Sequence, residues 1–216
     1  DNINILVVRF KRIGDAILSL PLCHSLKLTF PNSKVDFVLY EDAAPLFEGH
    51  PYIDNVITVT KKEQKNPFKY IKKVYNVTRK KYDIVIDIMS TPKSEFFTFF
   101  SLGSKYRIGR RKKYRGFTYT HKISEPTDSK DKVDKFLKML APLEKEYQII
   151  YDNNYITCIT EDEKEYMKNK MLKAGINFKK TIFICAATSR RAEKIYPIKK
   201  MEKTINKVIE EFDSQI

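Results

Sequence analysis

The segment Ile3-Asn-Ile-Leu-Val-Val-Arg-Phe-Lys-Arg-Ile-Gly-Asp-Ala-Ile-Leu-Ser-Leu-Pro21 decides how the chain is read. An unbroken apolar run, Ile5 to Val8, predicts a β-strand. A short basic loop follows, and Gly14-Asp15 opens a helix. One carboxylate therefore stands just beyond the carboxyl end of a first strand. In open α/β sheets, ligands bind outside those strand ends.

The same alternation continues downstream. Strands are expected at 34–39, 55–59, 84–88, 106–108, 119–123 and 182–186. Helices are expected at 15–29, 43–48, 67–80, 93–102, 130–141, 161–174 and 198–212. Strands alternating with helices predict right-handed βαβ units and an α/β fold with a parallel sheet flanked by helices. The first helix is apolar almost all round, so it is expected to be buried. Pro21 within it removes a hydrogen bond and is expected to interrupt it. Gly175 fits a helix C-cap. The expected domains are 1–175 and an incomplete 176–216, the latter too small to fold by itself.

Composition narrows the class. The 216 residues are 42% hydrophobic and 12% aromatic, enough for a substantial core, with a formal net charge of +14. Such a field attracts polyanions: nucleic acid, anionic lipid headgroups or phosphorylated substrates. No apolar run approaches the roughly 18 residues that span a bilayer. The three cysteines, Cys23, Cys158 and Cys185, have no metal spacing. They read as free thiols of a cytoplasmic protein, with Cys23 and Cys185 in apolar runs. Histidines 24, 50 and 121 are isolated, so no metal site is expected.

Four groups of residues carry candidate chemistry. Asp15 is either a helix cap or a general base, with Gly14 letting a ligand approach the backbone. Asp87, near the end of the strand at 84–88, is a second carboxylate that could face the cleft. The run Ala186-Ala-Thr-Ser-Arg-Arg-Ala-Glu-Lys194 supplies hydroxyls from Thr188 and Ser189 and charge from Arg190, Arg191 and Lys194. It is either a basic loop or a diphosphate site. The run Lys105 to Arg115 holds seven basic residues and no acidic one. That run suits a solvated face, a grip on single-stranded nucleic acid, or an anionic acceptor held by Arg110 and Arg111. No GxGxxG fingerprint is present, so a dinucleotide cofactor is not indicated, and the loop at 186–194 lacks the glycines of a Walker A loop.

Together these residues resemble the glycosyltransferase family of bacterial ADP-heptose:lipopolysaccharide heptosyltransferases. The resemblance rests on the opening strand with Ile13-Gly14-Asp15 and Pro21, and on Pro31 to Leu39. It continues through His50-Pro51-Tyr-Ile-Asp-Asn-Val56, Tyr82 to Asp87, Ser94 and Arg107-Ile-Gly109. It ends with Thr188-Ser189 and Lys194-Ile-Tyr-Pro197, where Tyr196 replaces a usual Trp.

The resemblance implies the N-terminal, acceptor-binding Rossmann-like half of a two-domain GT-B enzyme, with a truncated donor-binding domain after it. It implies an inverting, metal-independent transfer from ADP-heptose to the lipopolysaccharide inner core, without a cofactor. Asp15 would be the base; Thr188, Ser189 and Lys194 would hold the donor diphosphate; Gly14, Arg110 and Arg111 would meet the acceptor. Peripheral contact with the inner membrane is expected, and little activity from this chain alone. The rival readings are another nucleotide sugar as donor, a basic nucleic-acid-binding protein, or an interaction module.

Overall fold

In the computed structural model, which describes every residue except 1, 11, 12, 125–128, 130, 155, 187, 190, 191 and 216, strand β1 (Asn4–Val8) splits its side chains between two cores. Ile5 and Val7 enter one and Leu6 and Val8 the other, all fully buried. This is the period-two alternation of a strand covered on both faces. The pattern repeats in β2 (Lys34–Tyr40), where Val35, Phe37 and Leu39 oppose Val38, and in β4 (Ile84–Asp87).

With β3 (Asn55–Val59), β5 (Tyr106–Arg110) and β6 (His121–Ile123), these strands form a six-stranded, wholly parallel sheet in the order β3-β2-β1-β4-β5-β6. The expected α/β fold is present. The chain builds outward from β1 and then returns to lay β4 on its other side. Strand order reverses between β1 and β4, which makes their carboxyl ends the natural ligand crevice.

Helices α1 (Ile13–Ile17) and α2 (Leu20–Thr29) replace the single helix expected at 15–29. Pro21 sits in the first turn of α2, where its missing N–H is not needed. α2 buries Leu20, Leu22, Cys23 and Leu26 and packs beside α6 (Lys132–Leu137). Pro142 turns the continuation of α6 into a 3-10 turn through Lys145. The opposite face is covered by α4 (Pro67–Thr78) and α5 (Pro92–Phe99) through Tyr70, Val74, Val77 and Phe97. Ahead of α4 lies α3 (Lys61–Lys65), started by a capping box between Thr60 and Glu63.

Strand β6 starts at His121 rather than at Tyr119. Gly116, at φ +85°, turns the chain so that the Tyr119 ring packs on Gly109. A Cβ on Gly109 would stand 2.3 Å from Tyr119 Cζ, closer than any real contact.

Asp1–Cys158 make one compact unit and Ile159–Ile216 a second. The second holds α7 (Glu161–Lys173), β7 (Thr181–Ile182), α8 (Ile198–Glu211) and β8 (Ser214–Gln215), with β7 and β8 parallel. α7 ends in a Schellman motif: the Ile176 amide reaches Met171 O and the Gly175 amide reaches Leu172 O, both at 3.0 Å. Gly175 takes φ +86° there. Thus the predicted C-cap is present, and α7, read from sequence as part of the first domain, stands in the second unit. Of the strand expected at 182–186, only Ile182 falls in β7, where Thr181 and Ile182 pair with Ser214 and Gln215. Cys185, expected in that buried strand, is half-buried; Cys158 is exposed.

Replacing Gly109 by Ala is expected to push Tyr119 out of place and cost about 1–3 kcal/mol. A lowered urea midpoint would register it. An unchanged midpoint would show that Gly109 does not set the ring's position.

Candidate active site

At the carboxyl end of β1 the chain places Arg9, whose side chain is only 8% exposed. A guanidinium cannot shed its charge, so burial there demands partners. Its Nη2 lies 3.2 Å from Asp15 Oδ2, its Nη1 donates to Met89 Sδ at 2.8 Å, and its plane lies 4.9 Å from the Phe136 ring centre. Desolvation lowers its pKa, and the Asp15 charge opposes that. The Lys132 ammonium, from the start of α6, contacts the other oxygen of Asp15.

Each Asp15 oxygen therefore faces a cation, an arrangement that favours the charged carboxylate. Asp15 itself stays 26% exposed and Lys132 49% exposed. The carboxylate is thus held from behind by a buried Arg and covered in front by a displaceable Lys. An ionised carboxylate so placed can accept a proton from an incoming hydroxyl.

The second carboxylate at the switch point behaves differently. Asp87 ends β4, is fully buried, and does not face the cleft as expected. Tyr119 donates to its Oδ2 at 2.6 Å, and the Met89 and Ser90 amides donate to Oδ1 at 3.0 and 2.9 Å. Burial nevertheless outweighs these donors and pushes the Asp87 pKa up to about 6. Ser90, at φ +47°, donates to Asp87 O and accepts from the Arg110 amide at 2.7 Å. Asp87 shapes the loop after β4 and, through Ser90, the end of β5.

The sequence candidates separate accordingly. Arg110 lies at the edge of this cluster, its guanidinium 6.0 Å from the same Phe136 ring that Arg9 covers. Arg111 is exposed, and its amide extends the β5–β6 ladder to Ile123 O at 2.7 Å. A Cβ built on Gly14 would meet nothing within 4 Å, so protein packing places no demand for glycine there. Two members of the basic run are structural: Lys105 pairs with Glu146, and Arg107 clamps the carbonyls of Thr118, Leu102 and Ser104.

In the second unit Thr188 and Lys194 are exposed and Ser189 is half-buried; Arg190 and Arg191 lie outside the described residues. His24 stacks on Tyr52, and His50 donates from Nε2 to Ile156 O while its Nδ1 accepts the Tyr52 amide. Among the described residues no cluster of three His, Cys, Asp or Glu could hold a metal, and no helix is long and apolar enough to cross a membrane.

Two members of the site were not foreseen. Arg9 lies inside the opening segment, and its position after four apolar residues was the available signal. Lys132 is 117 residues from Asp15 in sequence, beyond the reach of any local pattern.

The model of glycosyltransferase family 9 (heptosyltransferase) matches residues 70–215. Lipopolysaccharide heptosyltransferase 3 of Escherichia coli is 28% identical over 78 residues, which are 35% of this chain and 23% of that protein. The crystal structure of a family 9 glycosyl transferase from Veillonella parvula superposes with a TM-score of 0.81 at 19% identity, over 99% of this chain and 62% of that one. E. coli heptosyltransferase WaaC with ADP-2-deoxy-2-fluoro heptose superposes at 0.65 and 19% identity, over 95% and 65%. The chain thus spans under two thirds of each. The structural likenesses establish the fold, an α/β, Rossmann-like architecture shared with these glycosyltransferases.

Because the Asp87 pKa is raised from 3.8 to about 6, the folded state holds a proton that the unfolded chain has lost between those values. Its contribution to stability is complete below about pH 4 and is lost as pH rises through 6, by about 3 kcal/mol. Denaturation of wild type and Asp87→Asn across pH 4 to 7 checks this. The wild type should weaken relative to the variant over that window, and parallel curves would refute it.

Proposed function

The chain belongs to glycosyltransferase family 9 (heptosyltransferase), and on that premise we propose that it serves the inverting, metal-independent transfer of heptose from ADP-heptose to the lipopolysaccharide inner core. The observation that carries this reading is Asp15. It is a partly exposed carboxylate at the carboxyl end of β1, beside the strand-order reversal, gripped by a buried Arg9 and covered by Lys132.

In this reading an acceptor hydroxyl displaces Lys132 and hydrogen-bonds to Asp15. Its oxygen attacks the anomeric carbon from the face opposite the leaving group. The bond from that carbon to the diphosphate oxygen breaks, ADP departs, and the hydroxyl proton passes to the Asp15 carboxylate. The first unit serves the acceptor through Gly14, Arg110 and Arg111. The second begins the donor half, where Thr188, Ser189 and Lys194 hold the diphosphate and stabilise its growing charge. The relatives support the chemistry: one is a lipopolysaccharide heptosyltransferase, and another was solved with a fluorinated ADP-heptose. A further nucleotide sugar as donor is the alternative, which a donor panel decides.

In the full-length protein that carries this sequence, Asp15→Asn is expected to lower acceptor-dependent ADP release by roughly 10²–10⁴-fold while acceptor affinity is retained. An unimpaired rate would reduce Asp15 to a helix cap. Gly14→Ala, which meets no protein atom, should leave the urea midpoint within about 0.5 kcal/mol of wild type yet raise the acceptor KM. Unchanged kinetics would remove Gly14 from the acceptor site.

A further inference from the structure

The outer faces of α4 and α5 carry an aromatic surface that the catalytic reading does not use. Phe68 is 86% exposed and Phe117 79% exposed, where an ordinary surface would hide such rings. One groove of about 460 Å³ is lined by Pro67, Phe68, Ile71, Lys72, Tyr75 and Phe100. A second, of about 300 Å³, is lined among others by Pro92, Phe96, Phe99, Arg115 and Phe117. The grooves join through edge-to-face rings: Phe100 lies 6.0 Å from Tyr75 and 5.2 Å from Phe99. The result is one continuous apolar strip rather than scattered side chains.

The charge around the strip is predominantly positive. Residues 64–124 hold sixteen Lys and Arg and only three acidic residues, Asp83, Asp87 and Glu95. Asp87 and Glu95 are buried, which leaves Asp83, exposed and accepting the Asn4 amide at 2.8 Å, as the one exposed carboxylate of this stretch. Lys69, Lys72, Arg79, Lys113 and Arg115 are exposed. Exposed aromatic rings interleaved with unneutralised lysines match the two layers of a bilayer interface. The rings enter the headgroup–acyl boundary while the ammonium groups meet lipid phosphates.

We infer that the α4–α5 face docks this protein on an anionic lipid bilayer. The second groove begins beyond the carboxyl ends of β4 and β5, the same end of the sheet that carries Asp15. A lipid-borne acceptor would be met on that side. Docking itself does not rest on the transferase reading, since it needs neither Asp15 nor a nucleotide sugar.

The test is co-sedimentation of the 216-residue chain with phosphatidylglycerol-rich vesicles, with phosphatidylcholine vesicles as the neutral control. Binding is expected to the anionic vesicles only and to weaken at high salt. Lys69→Gln, Lys72→Gln and Arg115→Gln should each lower the affinity roughly fivefold. Phe68→Ser with Phe117→Ser should lower it at least about tenfold. These side chains are exposed, so circular dichroism should show the fold intact. Binding that ignores the aromatic replacements would overturn the inference, as would no binding to either vesicle. Capture of single-stranded DNA with vesicles ignored would give the face to nucleic acid and would also overturn it. In the full-length protein, transfer to a soluble acceptor should be unaffected by the phenylalanine variants, so loss of docking and loss of catalysis remain separable.

Discussion

A guanidinium buried at the carboxyl end of β1 is the constraint from which the site follows. Arg9 is carried out of water by the strand that precedes it, since four successive buried residues leave its side chain no route to the surface. A charge in that position must be matched or the fold is penalised. The match comes from the Asp15 carboxylate, the Met89 sulfur and the Phe136 ring, drawn from three separate segments. Satisfying one buried cation thereby fixes where α1 begins, where the loop after β4 lies and how α6 docks. The acid that would do the chemistry is the counter-ion of a structural Arg.

A second buried group holds the neighbouring strands in the same way. Asp87 has its oxygens occupied by the Tyr119 hydroxyl and two backbone amides, and Tyr119 is admitted because Gly109 and Gly116 present no side chains to its ring. Ser90 takes a left-handed backbone conformation to serve both Asp87 and Arg110. Two aspartates at the carboxyl ends of adjacent strands, Asp87 closing β4 and Asp15 beyond β1, therefore have opposite fates. One is partly exposed beside two cations and suited to take a proton. The other is sealed in the core with its pKa raised by burial, and its work is to shape a loop.

Much of this was legible in the sequence because it is local. Ile5 to Val8 announced a strand, Pro21 a break in the first helix, and Gly175 a helix end, since each depends on neighbours within a turn or two. Asp15 could be singled out for the same reason. What failed depended on contacts distant in sequence. The expected strand at 119–123 loses Tyr119 to a carboxylate 32 residues earlier. Asp87 stands at a strand's carboxyl end, where a carboxylate could face the cleft, but that position says nothing of the Tyr119 ring that seals it. Lys132 had no local signature at all.

The account makes Arg9 act through Asp15, and a double-mutant cycle on transfer rate tests that link most directly. Arg9→Met keeps the volume and removes the charge; it is measured alone, with Asp15→Asn, and against both parents. A positioning role predicts that Arg9→Met slows the enzyme with Asp15 present and adds nothing once Asp15 is Asn, a coupling of roughly 0.5–3 kcal/mol. An equal loss in both backgrounds would contradict it and leave Arg9 as a packing residue with no part in holding the base.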